Sequence, residues 1–155
     1  MTGKDYVKAG AELVEQYCAS VRADLEAIPE ARMWDRRVAG QVSPANLVLH
    51  LCGNLRHFFG HLLGGSDYIR ERDREFQEER HMSKARILET WEGACSETRK
   101  VLLSLDDAAL LRDATMDKYP GGAPNHQLIL RLLTHLSYHA GQIRTMNRLL
   151  VPPQA

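Results

Sequence analysis

The sequence predicts an all-α fold, a four-helix bundle, on three observations. Four long stretches carry apolar residues at three- and four-residue spacing, the period of an amphipathic helix. Their ends coincide with capping residues, prolines or paired glycines. No stretch alternates apolar and polar residues on either side of a hairpin turn.

The first helix is predicted from about Asp5 to Ile28, with Leu13, Tyr17, Val21, Leu25 and Ile28 in phase, and Pro29 stops it. Residues 30–42, including Trp34, form an irregular connector. Ser43 caps the second helix, and Pro44 takes its first position, where a missing N–H costs nothing. That helix continues through Leu47, His50, Leu51, Asn54, Phe58 and Leu62 to Gly64-Gly65. Residues 66–82 are dense in charge of both signs and read as a solvated connector across the end of the bundle, with Phe76 as its anchor. Ser83 starts the third helix, which runs to about Leu105 through Ile87, Leu88, Trp91, Cys95 and Leu102. Asp106-Asp107 cap a short extra turn, and residues 112–124, with Pro120-Gly121-Gly122, form a loop. The fourth helix runs from Pro124 or Asn125 to Leu150, ahead of Pro152-Pro153.

A chain of 155 residues fits one domain, spanning 1–155, with a real core. With 44% apolar and 26% charged residues the composition is that of a folded chain rather than a disordered one. Lys+Arg and Asp+Glu are both 20, so no global field favours nucleic acid or an anionic membrane. No apolar run approaches the roughly 20 residues of a membrane span, and the start of the chain, with Lys4, Asp5 and Lys8, lacks the apolar core of a signal peptide. Cys18, Cys52 and Cys95 are odd in number and far apart, without a Cys-x-x-Cys. They read as three reduced, packed thiols of a soluble cytoplasmic protein.

The chemistry concentrates in the run from Thr134 to Ile143, where His135 and His139 stand four residues apart on one face of the last helix. Leu128, Leu132, Met146 and Leu149 share that face, so the histidines interrupt an apolar stripe where an unpaired polar group is costly. Two imidazoles stacked in this way converge on one divalent ion. His50, set among Leu47, Val48, Leu49 and Leu51, is the third candidate ligand. Three neutral imidazoles leave positions open on zinc or nickel, the arrangement of a catalytic site rather than a closed structural one. His50, Asn54, His57 and His61 fall within a narrow sector of the second helix, and His50 is preferred because its neighbours are apolar. Asn54, His57, Tyr138 and Gln142 are candidates for supporting or substrate contacts, and Gly141 keeps the backbone open beside the metal. Core-edge packing is favoured over a substrate or acid role for Tyr138, and solvated or salt-bridged roles over binding of an anionic substrate for Arg56, Arg70 and Arg74. Cys52, about 200° around the helix from His50, is packing. His81 is solvated loop, and His126 lies off the His135/His139 face.

Three segments together resemble the DinB-like superfamily of metal-binding four-helix bundles, and within it small uncharacterised bacterial members. They are Asn46 to Arg56, then Gly64-Gly65 with the later Arg72-Asp73-Arg74-Glu75-Phe76 run, and finally His135 to Ile143. The resemblance implies that His50, His135 and His139 bind a divalent metal. It also implies a long crossover between helices 2 and 3, for which Ser66 to Met82 has the right length, and a homodimer. It further implies an enzyme acting on a small-molecule substrate, a thiol S-transferase that uses the metal to activate a low-molecular-weight thiol such as bacillithiol, mycothiol or glutathione. A metal-dependent hydrolase and a non-enzymatic metal-binding or stress-response dimer are the alternatives. No Glu adjoins a ligand histidine as it does in a His-Glu-x-x-His metallopeptidase, which counts against the first of these.

Overall fold

Capping chemistry sets the helix starts in the computed structural model, which describes residues 2–36, 39–77, 82–116 and 119–151. Helix α1 (Gly3–Ala27) opens on a reciprocal box. The Thr2 hydroxyl accepts from the Asp5 N–H at 3.2 Å, and the Asp5 carboxylate accepts from the Thr2 N–H at 2.9 Å. Helix α2 (Pro44–Leu55) starts as predicted, with the Ser43 hydroxyl accepting from the Asn46 N–H at 3.1 Å. Its continuation, Arg56–Leu63, widens into a π-helix, a geometry that often marks functional sites. Ser83 caps α3 (Lys84–Ser104) and Asp106 caps the short α4 (Asp107–Leu111), also as predicted. Helix α5 spans Asn125–Leu150.

Helix α1 packs on α3 and α5, and α2 packs on the same two. Consecutive helices α1 and α2 therefore lie on one diagonal of the bundle and α3 and α5 on the other, while α2 and α3, joined by the charged connector, are neighbours. Trp91, Phe59, Leu25, Leu51, Ile129 and Leu136 are fully buried between the helices. Each such side chain is worth about 1.5–3 kcal/mol by burial. Buried Asp24 ties α1 to α5, accepting from Asn147 Nδ2 at 2.8 Å and from Arg144 Nε at 3.3 Å. Trp34 is buried, so the irregular connector is anchored on the core.

Several expectations fail. Residues 112–124 are not a loop: β1 (Asp113–Met116) and β2 (Tyr119–Pro124) pair antiparallel, with Asp113 opposite Pro124 and Ala114 opposite Ala123. The ribbon carries a bulge between Ala114 and Met116, and its second strand contains Pro120, Gly121 and Gly122, the last at φ +70°, so the alternating signature of a strand is missing. Cys18 on α1 and Cys95 on α3 form a disulfide, their Cα atoms 6.2 Å apart. Only the packing of α1 on α3 brings residues 77 apart together, so no sequence spacing announces the bond, and the cysteine count no longer argues for a reducing compartment. Cys52 is free and buried as expected, and burial pushes its thiol up to about 12.

Leu13 and Leu149, in phase on paper, are 40% and 55% exposed, because the flanking Val14 and Leu150 turn inward instead. The charged connector is not solvated throughout. Its 3-10 turn at Arg72–Phe76 delivers a buried Glu75 to the bundle. His81 and Pro152-Pro153 lie outside the described residues. Among those residues, no helix is long and apolar enough to cross a membrane.

Candidate metal centre

The packing of α2 on α5 brings His50 against His135 and His139. His135 Nε2 lies 3.3 Å from His50 Nε2 and 3.1 Å from His139 Nε2. One ring nitrogen from each histidine lies within 4.8 Å of the others. Metal–nitrogen bonds of about 2.0–2.1 Å at tetrahedral corners put neighbouring nitrogens about 3.3–3.4 Å apart. Two of the three edges, both at His135, therefore have nearly tetrahedral spacing, and the His50–His139 edge lies within 4.8 Å.

The opposite ring edges decide which nitrogens point inward. His50 Nδ1 lies 2.9 Å from Glu75 Oε2, and a carboxylate only accepts, so the proton sits on Nδ1 and the Nε2 lone pair faces the cluster. His139 Nδ1 likewise donates to Gln142 Oε1 at 2.6 Å, and Gln142 Nε2 donates to the Tyr138 hydroxyl at 3.4 Å. Two Nε2 lone pairs thus converge on His135 Nε2, which can offer a proton to only one of them. Acceptors gathered around one point repel one another unless a cation stands among them, and neutral imidazoles are the form that ligates a metal. Burial holds His139 below the ordinary histidine value, with His50 nearby adding to the effect, although the Gln142 bond opposes it.

Glu75 reaches the site from the crossover. Arg70 grips it with two bonds, Nε to Oε1 at 2.6 Å and Nη2 to Oε2 at 2.8 Å. Burial alone would raise the carboxyl, but the hydrogen bonds from Arg70 and His50 outweigh it and hold Glu75 below the ordinary value. Asn46, fully buried on α2, donates from Nδ2 to the carbonyls of Glu75 at 3.2 Å and Gln77 at 2.6 Å, pinning the turn in place. The Phe76 ring packs on His50 at 5.1 Å, and the Arg72 guanidinium lies over the Phe76 ring at 5.2 Å from its centroid. At Gly53 the fit leaves no room for a side chain, since a Cβ there would stand 2.0 Å from Glu75 Oε1.

The remaining candidates separate. Asn54 is buried one turn beyond His50, while the bonds at the histidine edges go to Glu75 and Gln142 instead. His57 stays out of the cluster: it stacks on His61 at 6.0 Å, and its buried Nδ1 has no hydrogen-bond partner among the described residues. His126 is also outside, its Nδ1 3.1 Å from the Leu110 carbonyl. Tyr138 is 65% exposed rather than core-edge. With Gly40, Val42, Gly141, Gln142 and Met146 it bounds a cleft of about 460 Å³ whose lining carries no charged side chain. No atom lies within 4 Å of where a Gly141 Cβ would stand, so the helix surface there is open. The sequence reading missed Glu75, whereas the salt-bridged role expected of Arg70 is met at that carboxylate. The available signal was Phe76, an apolar anchor that draws its neighbour inward, together with glycine at position 53 on the helix that carries His50.

Residues 1–153 match the model of the family described as Protein of unknown function (DUF1572). No curated protein matches the sequence. Among solved structures, a DinB-like protein from Bacillus subtilis is similar at TM-score 0.69 and 15% identity, over 92% of this chain and 94% of that one. A mycothiol-dependent maleylpyruvate isomerase is similar at TM-score 0.70 and 11% identity, over 92% of this chain, which spans 63% of the isomerase. At these identities the likeness is one of fold.

Proposed function

This chain belongs to that family and has the DinB-like fold, and on that premise we propose that it is a divalent-metal-dependent enzyme, a thiol S-transferase acting on small electrophiles. The observation that carries the reading is the convergence of the His50, His135 and His139 ring nitrogens at metal-ligand spacing. Zinc or nickel suits an all-imidazole donor set. Such an ion supplies Lewis acidity, lowering the pKa of a thiol or water at its remaining position. The protein's own part is to hold three neutral imidazoles, fix His139 through Gln142, and offer for an electrophile an uncharged cleft that Gln142 and Tyr138 line. The name of the isomerase, mycothiol-dependent, supports a thiol as co-substrate.

A hydrolase needs a general base near the bound water, and Glu75 is committed to Arg70 and His50 on both oxygens. That counts against hydrolysis with Glu75 as the base. The test is thiol consumption by zinc- and nickel-loaded protein, with mycothiol, bacillithiol or glutathione and a chromogenic aryl halide. Metal-dependent turnover that disappears in His135→Ala supports the transferase. Turnover no greater than that of His135→Ala with all three thiols rejects it.

A further inference from the structure

We propose that Glu75, held by Arg70, is a positioning residue for the metal centre: it fixes His50 with the proton on Nδ1 and the Nε2 lone pair aimed at His135 and His139, and glycine at position 53 leaves its carboxylate room to do so. The proposal rests on the metal reading above and assigns a part of the site that lies outside the three histidines.

The geometry around His50 Nδ1 carries the argument. Two groups face that nitrogen: Glu75 Oε2 at 2.9 Å and Arg70 Nη2 at 3.3 Å. A guanidinium only donates. Arg70 alone would therefore make Nδ1 the acceptor and drive the proton to Nε2, the nitrogen that must ligate. The carboxylate reverses that preference. Arg70 in turn occupies both carboxylate oxygens, which orients the group and balances its charge. A buried ion pair is a poor source of stability, because desolvation offsets most of its attraction. A carboxylate behind a ligating imidazole is, by contrast, a recurrent means of setting its tautomer and raising its basicity.

The crossover is built to deliver this group. Asn46 bonds the carbonyls on both sides of Phe76, and Phe76 lies on the His50 ring. On the opposing helix the Cβ of any residue but glycine at position 53 would collide with Glu75 Oε1. The charged connector therefore completes the site from behind, which accounts for a buried glutamate in an otherwise charged and exposed run.

The test has two readouts, and the first needs no metal. Long-range proton–nitrogen NMR of the metal-free protein should show His50 protonated on Nδ1 in the parent, and shifted toward Nε2–H in Glu75→Ala, where Arg70 is left facing the ring. The second is zinc affinity by chelator competition. Glu75→Gln and Gly53→Ala should each bind about 10–100-fold more weakly at unchanged stoichiometry and helix content, while His135→Ala loses the site. Gly53→Ala keeps every charge and Glu75→Gln keeps the shape, so if either fails to fold the other still reports. Parent affinity in both variants, or a parent His50 protonated on Nε2, overturns the proposal. A parent that binds no zinc overturns the metal reading and this role with it. The tautomer spectrum then tells that failure apart from a wrong assignment of Glu75.

Discussion

Replacing Asn46 with alanine removes the side chain that holds the crossover against α2. Asn46 Nδ2 donates to two carbonyls, Glu75 at 3.2 Å inside the protein and Gln77 at 2.6 Å nearer the surface, and its Oδ1 accepts from the Ser43 hydroxyl at 2.7 Å. The backbone cap from Ser43 to the Asn46 N–H survives the change, so helix nucleation is spared. A buried polar group left without a partner costs about 1–3 kcal/mol. With one carbonyl fully and one partly stranded, the expected loss is about 2–4 kcal/mol, a large share of the 5–15 kcal/mol typical of a domain. Urea unfolding followed by circular dichroism, on parent and Asn46→Ala, measures it directly. Because the same turn carries Glu75, zinc affinity should fall along with stability. A loss below about 0.5 kcal/mol, within the range of ordinary surface substitutions, would refute the view that Asn46 fastens the crossover.

Three other outcomes follow from the packing. Closing a loop of 77 residues restricts the unfolded chain by about 4.5 kcal/mol, so Cys18→Ser should lower stability in urea by up to that amount, and a loss under about 1 kcal/mol would contradict a formed Cys18–Cys95 bond. Cys52, its thiol pushed up to about 12, should resist iodoacetamide in the native protein and react fully in urea; ready native labelling would contradict its burial. His57 is held below its ordinary value by burial, with the Arg70 and His61 charges adding to the effect, so the unfolded chain takes up the proton first. Its contribution is therefore complete above the unfolded value of about 6.5 and lost as pH falls through the lower folded one. In metal-free protein, His57→Gln should flatten the decline of stability below neutral pH, and an unchanged slope would count against the assignment.

What the sequence made legible was local. Ser43-Pro44, Ser83 and Asp106 state helix starts in their own chemistry, and the spacing of His135 and His139 puts both on one face without any knowledge of the partner helix. His50 stood out because four apolar neighbours leave a polar side chain only the interior. What stayed hidden depends on which helices touch. The Cys18–Cys95 pair exists only because α1 lies on α3. Glu75 looks like its charged neighbours until the crossover folds back on α2 and Arg70 neutralises it. The β1–β2 ribbon escaped because its bulge, prolines and glycines erase a two-residue period. Leu149 misleads for a related reason: a helical phase read over 26 residues drifts, and only the real neighbours of α5 define its buried edge.

The central claim is that His50, His135 and His139 form one metal site, and metal content tests it most directly. Elemental mass spectrometry on tag-free protein, before and after reconstitution, should find about one zinc or nickel per chain, lost in each of His50→Ala, His135→Ala and His139→Ala. No metal in the reconstituted parent, or the same stoichiometry in the three variants, would contradict it.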